Sequence, residues 1–393
     1  MAHINAPQLD LCLATLSYYP LYAGPALRFQ RYAPGLAERG IRMKVFTQAV
    51  TDDLLKRDGS MANGHHPSSP AGSSDNGQVP LFELVDNLPV QRVPLPSGHK
   101  RLLTYYKGLA AYCRHQSKVD VVQFLSMDIW AAPYTRRLRQ QGIGLVFTHT
   151  LLGDLSPKPW KRLLQRFHRR LPLNLVDRLV VSSSAMQERL EALGTATPIT
   201  IIPNGVDLER FNPLDDDRAK NRLRQALGLE PGWEVILAIG PIIPRKGTEA
   251  LVEAFTLLCQ QYPNAYLVLV GPRHDLARES LAPFHRQIQE TIAAANVQER
   301  VIFTGAVNNV QDYLQTADIL VFPSRREGMP NVVPEAMACG LPIVMTPFIG
   351  LPREFGQPDT HYLLSDWQPQ ILAGDISQLL GNSDRRRQLG RAA

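Results

Sequence analysis

Pro323-Ser-Arg-Arg-Glu-Gly-Met-Pro-Asn-Val-Val-Pro-Glu-Ala-Met-Ala-Cys-Gly340 is the stretch on which the fold turns. It starts where the apolar run Ile319–Phe322 stops, and it ends just before a second such run, Pro342–Met345. Short apolar runs bounded by turn residues read as buried strands, and the segment between these two is long enough for a loop and a helix. Pro334 sits early in that helix, where a missing N–H costs little. A strand-to-helix turn containing Gly328 aims backbone N–H groups and a positive dipole end at its loop, which suits a phosphate. Two carboxylates stand eight positions apart, Glu327 in the loop and Glu335 in the early turns of the helix. They can accept hydrogen bonds from sugar hydroxyls on a ligand whose phosphates rest on the N–H groups. A structural turn with a capping Glu would have the same composition.

Working outward, the same style fills the chain. Upstream strands are predicted at Glu234–Ile239, Ala265–Val270 and Val301–Thr304, and Leu251, Ala254, Phe255 and Leu258 mark the helix after the first. In the N-terminal half the predicted strands are Leu9–Ala14, Arg42–Phe46, Val90–Val93, Asp120–Phe124, Gly144–Thr148, Arg178–Ser182 and Pro198–Ile202. Between the first two, Leu27, Phe29, Tyr32, Ala33 and Leu36 follow helical spacing over Ala26–Arg39, with Gly40 as a stop. Repeated strand–helix alternation argues for parallel, doubly wound sheets. A length of 393 residues suggests two domains. They are expected at 1–212 and 213–393, joined near Phe211–Asp217, each Rossmann-like. A ligand is expected between them, at the carboxyl ends of the strands.

Composition excludes several classes. With 44% hydrophobic residues the chain is not disordered. No apolar run approaches the ~20 residues of a membrane span. Met1 to Leu9 has neither the basic region nor the apolar stretch of a secretory signal, so a cytoplasmic address is the default. Cys12, Cys113, Cys259 and Cys339 are far apart and lack zinc-site spacing, and they read as reduced, mostly buried thiols. Residues 1–212 hold 25 Lys/Arg and 16 Asp/Glu, whereas 213–393 hold 17 and 20. A first half with net charge +9 can face an anionic partner, including the inner face of a membrane, or simply carry a basic surface. Nucleic acid is disfavoured, because no basic stretch is interleaved with stacking aromatics. Lys158–Leu171 sets Trp160, Leu163, Leu164, Phe167 and Leu171 on one helical stripe with six Lys/Arg elsewhere. A core-packing helix explains this more simply than a membrane-surface one. Gly59–Gln78, rich in Ser, Gly, Asn and Pro, reads as a loop. Asp215-Asp-Asp217 has Asp-x-Asp spacing, but acidic residues at a helix start are explained by the macrodipole rather than a metal.

Three further stretches carry candidate chemistry. Ile239-Gly-Pro-Ile-Ile-Pro-Arg-Lys-Gly247 lies between a strand and a helix. Its Arg245 and Lys246 can supply positive charge to a diphosphate, Arg by forked hydrogen bonds and Lys as a point charge. Tyr22-Ala-Gly-Pro-Ala26 follows the first strand, and Gly24 permits close backbone approach to a ligand. His149 stands just beyond the Leu145–Thr148 strand, where it can contact a reacting sugar or a developing charge.

Together these residues resemble glycosyltransferase family 4, whose fold is GT-B. The resemblance spans roughly residues 9–392. Glu327-Gly-Met-Pro-Asn-Val-Val-Pro-Glu335 matches the family's Glu-x7-Glu motif in spacing and neighbours. Ile202-Pro-Asn-Gly-Val-Asp207 is similar to the segment that closes the family's first domain. Arg245-Lys246-Gly247 is similar to the basic loop of the second domain, and Phe322-Pro-Ser324 to the strand end before the motif. The resemblance implies two Rossmann-like domains facing a cleft. It implies a retaining transfer from a nucleotide-diphosphate sugar to an acceptor hydroxyl, with no required metal or cofactor, in cell-envelope, exopolysaccharide or glycolipid synthesis. The implied partners are the nucleotide sugar and a carbohydrate or lipid-linked acceptor.

The resemblance also implies roles. Glu327 contacts the donor sugar's hydroxyls, Glu335 the ribose and Lys246 the diphosphate. The backbone of Gly328, Met329, Asn331 and Val332 lines sugar and phosphates. Gly24 lies beside the diphosphate and His149 near the reactive carbon. This sequence departs from the family pattern at three points. Pro241 stands where an Arg commonly follows the Gly of the basic loop, leaving Arg245 as its candidate substitute. Gly24 is followed by Pro25 where glycines are usually paired. The C-terminal helices that cross back onto the first domain are expected to be short or missing, since the sequence stops at Ala393. A GT-B epimerase or phosphorylase, and a non-catalytic scaffold derived from a transferase, are the alternative readings.

Overall fold

The structure is a computed structural model that describes residues 8–19, 21, 24–51, 81–98, 100–115, 118–150, 170–214, 216–273 and 281–393. It divides into two compact units, Met1–Ile202 and Pro203–Ala393. Each is built on one twisted sheet with helices from its own connections.

The first unit has strands β1 (Leu9–Ala14), β2 (Ile41–Gln48), β3 (Phe82–Val85), β4 (Leu88–Val93), β5 (Val121–Phe124), β6 (Gly144–His149), β7 (Arg178–Val181) and β8 (Ile199–Ile201). Their order in the sheet is β3-β4-β2-β1-β5-β6-β7-β8. All pairings are parallel except β3 with β4. Along β1, Cys12 and Ala14 enter one hydrophobic cluster with Phe46, Tyr105 and Phe124, while Leu11 and Leu13 enter another with Val45 and Val90. A strand buried on both faces is mostly apolar, which is why β1 reads as a strand; its one polar residue, Asp10, is buried and paired with Arg42 and Lys44. Helix α1 (Gly24–Glu38) follows β1 and begins two residues before the predicted start. The antiparallel β3 was not predicted. It joins β4 through Asp86 and Asn87, both at positive φ (46° and 64°), the two-residue turn that suits hairpin twist. Beneath this edge lies Arg92, fully buried, paired with Glu83 and donating to the Tyr19 carbonyl at 2.6 Å.

The second unit has strands β9 (Glu234–Ile239), β10 (Ala265–Val270), β11 (Val301–Gly305), β12 (Ile319–Phe322), β13 (Ile343–Met345) and β14 (Leu363–Leu364), in the order β11-β10-β9-β12-β13-β14 and all parallel. Its sheet is also covered on both faces. Ile236, Phe255, Ile319 and Val321 share one cluster, and Leu237, Leu320, Phe322 and Phe348 the other. Strand order reverses between β9 and β12. In an open parallel sheet the loops leaving two such strands diverge, and the crevice outside their carboxyl ends takes ligands. Residues 240–247 and 323–331 are those loops.

The boundary between the units falls before Pro203 rather than at 212/213. Residues 203–212 join the second unit because Phe211 is buried in its core and Arg210 donates to Gln311 (2.9 Å) and to the Asn308 carbonyl (2.7 Å). Asp216 accepts from the Ala219 N–H at 2.6 Å and caps the helix Asp217–Ala226, and Asp215 lies outside the described residues. The four cysteines are free and buried. No helix among the described residues is long and apolar enough to cross a membrane. The stretch 59–78 lies outside the described residues, and so does Lys158–Leu171 apart from Arg170 and Leu171.

Candidate active site

The loop after β9 is shaped by its own residues. Pro244, Arg245 and Lys246 form one tight turn, in which the Lys246 N–H donates to the Ile243 carbonyl (2.9 Å) and the Gly247 N–H to the Pro244 carbonyl (3.1 Å). Gly247 leaves that turn at φ 68°. A Cβ there would sit 2.1 Å from the Pro323 carbonyl oxygen, so only glycine lets the two loops meet this closely. The backbones then interlock. The Arg325 N–H donates to the Arg245 carbonyl at 2.9 Å across the two loops, and the Glu327 N–H is tied separately to the Ile349 carbonyl, after β13, at 3.2 Å.

This docking brings three predicted residues into contact. Glu327 Oε1 lies 2.6 Å from Arg245 Nη1 and 2.9 Å from Lys246 Nζ. The Ser324 hydroxyl donates to the same oxygen at 2.6 Å. Arg245 Nη1 also donates to the Arg326 carbonyl at 2.7 Å, so its guanidinium is held on both the backbone and the side chain of the opposite loop. Burial pushes the Glu327 carboxyl up, but the charges of Lys246 and Arg245 and the Ser324 hydrogen bond outweigh it and hold it below the usual carboxylate range. Burial pulls the Lys246 ammonium down, and Glu327 opposes that pull. The ammonium also lies 5.1 Å from the centre of the Phe322 ring. Gly240 makes room for its stem, since a Cβ there would come within 3.1 Å of Lys246 Cε. A hollow lined by Gly240, Ile242, Lys246, Thr248, Phe322 and Pro323 opens beside it.

The rest of the quoted stretch continues from this point. Gly328 and Met329 lead into the helix Val332–Ala338, which is only seven residues long. Asn331 precedes it, Val332 starts it, and Glu335 is its fourth residue, half-buried. Asn204 holds the approach to that helix. Its Nδ2 donates to the Met329 carbonyl (2.8 Å) and to Asn331 Oδ1 (2.6 Å). Sequence reading noted Asn204 and Ser324 only as parts of longer segments. No residue pattern signals that one spans to 329–331 and the other to Glu327, because both bonds need the chain to be folded first. The remaining two candidates belong to the first unit. Gly24 is the first residue of α1, and His149 is the last of β6, edge-on to Phe147 with ring centres 5.2 Å apart.

Chemically, the two loops bring one guanidinium (Arg245), one ammonium (Lys246) and one carboxylate (Glu327) together at a single point. Two cations facing one carboxylate leave a net positive charge at the switch point of the sheet. That suits an anionic ligand whose other end carries hydrogen-bonding groups.

Comparisons with known proteins bear on the family and the fold. Residues 23–210 match the family described as Glycosyltransferase Family 4, and residues 219–393 match Glycosyl transferases group 1. A D-inositol 3-phosphate glycosyltransferase of Segniliparus rotundus is 31% identical over 381 residues, covering 91% of this chain and 76% of that protein. Among solved structures, a sucrose-phosphate synthase of Thermosynechococcus elongatus superposes with a TM-score of 0.74 at 23% identity, covering 98% of this chain and 92% of that one. Anabaena HepE, solved in complex with UDP-glucose, gives 0.71 at 18% identity, covering 98% and 93%. Family matches over both halves, a relative aligned along most of the chain, and doubly wound sheets shared with these structures lead to one assignment: the chain belongs to glycosyltransferase family 4 and has the GT-B fold.

Proposed function

We propose that this protein moves a sugar, with retention of anomeric configuration and without a metal ion, from a nucleoside-diphosphate sugar to an acceptor hydroxyl. The observation that carries the reading is the convergence of Arg245 and Lys246 on Glu327 at the carboxyl ends of β9 and β12. In this reading Lys246 and Arg245 take the diphosphate, Glu327 the sugar hydroxyls and Glu335 the ribose. The backbone of Gly328, Met329, Asn331 and Val332 lines sugar and phosphates, Gly24 supports the diphosphate, and His149 serves the reacting carbon. As the bond from the sugar carbon to the diphosphate breaks, negative charge gathers on the leaving group. Cations already fixed in place stabilise that charge without reorganising. The acceptor oxygen bonds to the carbon from the same face, and its proton passes to a phosphate oxygen of the leaving group. The Segniliparus relative is an inositol-phosphate glycosyltransferase and HepE was solved with UDP-glucose, which supports a nucleotide-sugar donor and a sugar-like acceptor.

The test is a thermal-shift panel of UDP, GDP and ADP and their glucose and mannose conjugates, run in EDTA. A ligand at ~100 times its dissociation constant adds about 2.7 kcal/mol, enough to raise the midpoint by degrees. A response from one base family supports the reading and names the donor. Glu327→Ala is expected to keep the fold and abolish turnover of that donor. Wild-type turnover in this variant, or a folded protein that answers to no nucleotide, refutes the assignment.

A further inference from the structure

The three donors around Glu327 all fall on one oxygen. Arg245, Lys246 and Ser324 meet Oε1 at 2.6, 2.9 and 2.6 Å, and no hydrogen bond to Oε2 is present among the described residues. Ser324 is completely buried, and its own carbonyl is tied by the Thr346 hydroxyl at 3.0 Å. The hydroxyl that turns Glu327 toward the cations is therefore anchored to the ends of two strands. The resulting carboxylate is 11% exposed and sits against the same two cations that a diphosphate must use.

A diphosphate reaching Arg245 and Lys246 competes with Glu327 Oε1 for their N–H groups and brings further negative charge beside it. Like charges in a partly buried setting repel strongly, because little water screens them. A sugar nucleotide brings the same phosphates, but it also brings hydroxyl donors for the carboxylate to accept. We infer that Glu327 sets the preference of the site for the sugar nucleotide over the free nucleoside diphosphate, by returning to Arg245 and Lys246 whenever no sugar hydroxyl engages it. The inference rests on the nucleotide-sugar reading above. It gives Glu327 a second task, which is to weaken the hold on the spent diphosphate after transfer. Ser324 serves this as a positioning residue, keeping the carboxylate within reach of both cations.

The experiment is titration calorimetry near neutral pH on the full chain, comparing wild type with Glu327→Gln and Glu327→Ala. The probes are UDP, GDP, inorganic pyrophosphate, UDP-glucose and GDP-mannose. Both variants remove the charge, so either one tests the idea if the other fails to fold. The expected result is at least ~10-fold tighter binding of the responding nucleoside diphosphate and of pyrophosphate, a change of about 1.4 kcal/mol or more. The matching sugar nucleotide is expected to change by less than about threefold, so that the discrimination between them shrinks about tenfold. Unchanged or weaker diphosphate binding in both variants, with normal binding by wild type, overturns the inference and leaves the donor reading standing. Equal tightening of both ligand types also overturns it, since Glu327 would then be a competitor with no selectivity. If folded wild type and variants bind none of the probes, the donor reading fails and the inference falls with it.

Discussion

Replacing Gly247 with alanine tests whether the two loops are held together as described. The new Cβ would lie 2.1 Å from the Pro323 carbonyl oxygen, on a backbone at φ 68°. A comfortable carbon–oxygen contact is about 3.3 Å, so the loops must separate by roughly 1 Å. Left-handed backbone costs a non-glycine residue about 1–2 kcal/mol. Forcing extra volume into a packed contact adds about 1–3 kcal/mol. The sum, about 2–5 kcal/mol, converts at about 2–4 °C per kcal/mol for a unit of this size into a midpoint lowered by about 4–20 °C. The displaced atom belongs to the residue before Ser324, so the hydroxyl and Glu327 move with it. A 1 Å misplacement near reacting groups costs on the order of 100-fold in rate. The assay is thermal unfolding followed by circular dichroism, with donor turnover measured beside it. Gly232→Ala is the control, because a Cβ there meets nothing within 4 Å. The control is expected to stay within about 1 kcal/mol of wild type, on the stabilising side if it moves. A Gly247→Ala protein that melts and turns over like wild type would refute the interlocking of the loops.

Lys246→Ala is expected to weaken nucleoside-diphosphate binding by about 10–100-fold, since a charge-assisted contact of about 1.5–3 kcal/mol is lost. Unchanged affinity by calorimetry would remove Lys246 from the phosphate contact and leave Arg245 to make it alone. Asp318 makes a different prediction. It bridges Lys220 (2.9 Å) and the buried Arg224 (2.6 Å), and burial of its carboxyl is outweighed by those two cations, which hold it below its ordinary range. A depressed carboxyl stabilises the fold above its unfolded pKa of about 3.9 and loses that contribution as pH falls through the lower folded value. Asp318→Asn should therefore cost about 3–5 kcal/mol at neutral pH and flatten the loss of stability below about pH 4. Equal acid sensitivity in both proteins, read by denaturant unfolding across that range, would show that Asp318 is not a source of it.

Much of the fold is legible in residue order. Ala265–Val270 and Ile319–Phe322 begin and end where their apolar runs do, while Glu234–Ile239 adds one leading Glu to its run and Leu9–Ala14 is interrupted by Asp10 alone. Parallel strands covered on both faces are dominated by apolar residues, so the run marks the strand, and the buried Asp10 is accommodated by its ion pair with Arg42. Strand β3 escaped because it alternates, with Phe82 and Leu84 exposed and Glu83 and Val85 buried, over only four residues. Its Asp86-Asn87 turn was the signal available. Strand β14 has two residues and is defined by its pairing with β13 alone. The domain boundary moved because Arg210 and Phe211 are assigned by what they pack on, and a count of residues carries no such information.

The candidate site divides in the same way. Sequence alone was enough to nominate Glu327, Glu335, Arg245 and Lys246, because a charged residue in a loop between a strand and a helix keeps its chemistry wherever the loop goes. It also placed both loops at carboxyl ends of strands, since that follows from the alternation of elements. Only the tertiary structure made β9 and β12 neighbours, though 79 residues separate the end of one from the start of the other. From that adjacency come the contact of Gly247 with the Pro323 carbonyl, the reach of Asn204 to residues 329–331 and the gathering of three donors on one oxygen of Glu327. Periodicity and propensity are local, and they decide which strands and helices form. The direction of a hydrogen bond between distant loops depends on tenths of an ångström set by packing across the whole sheet, so no local pattern encodes it.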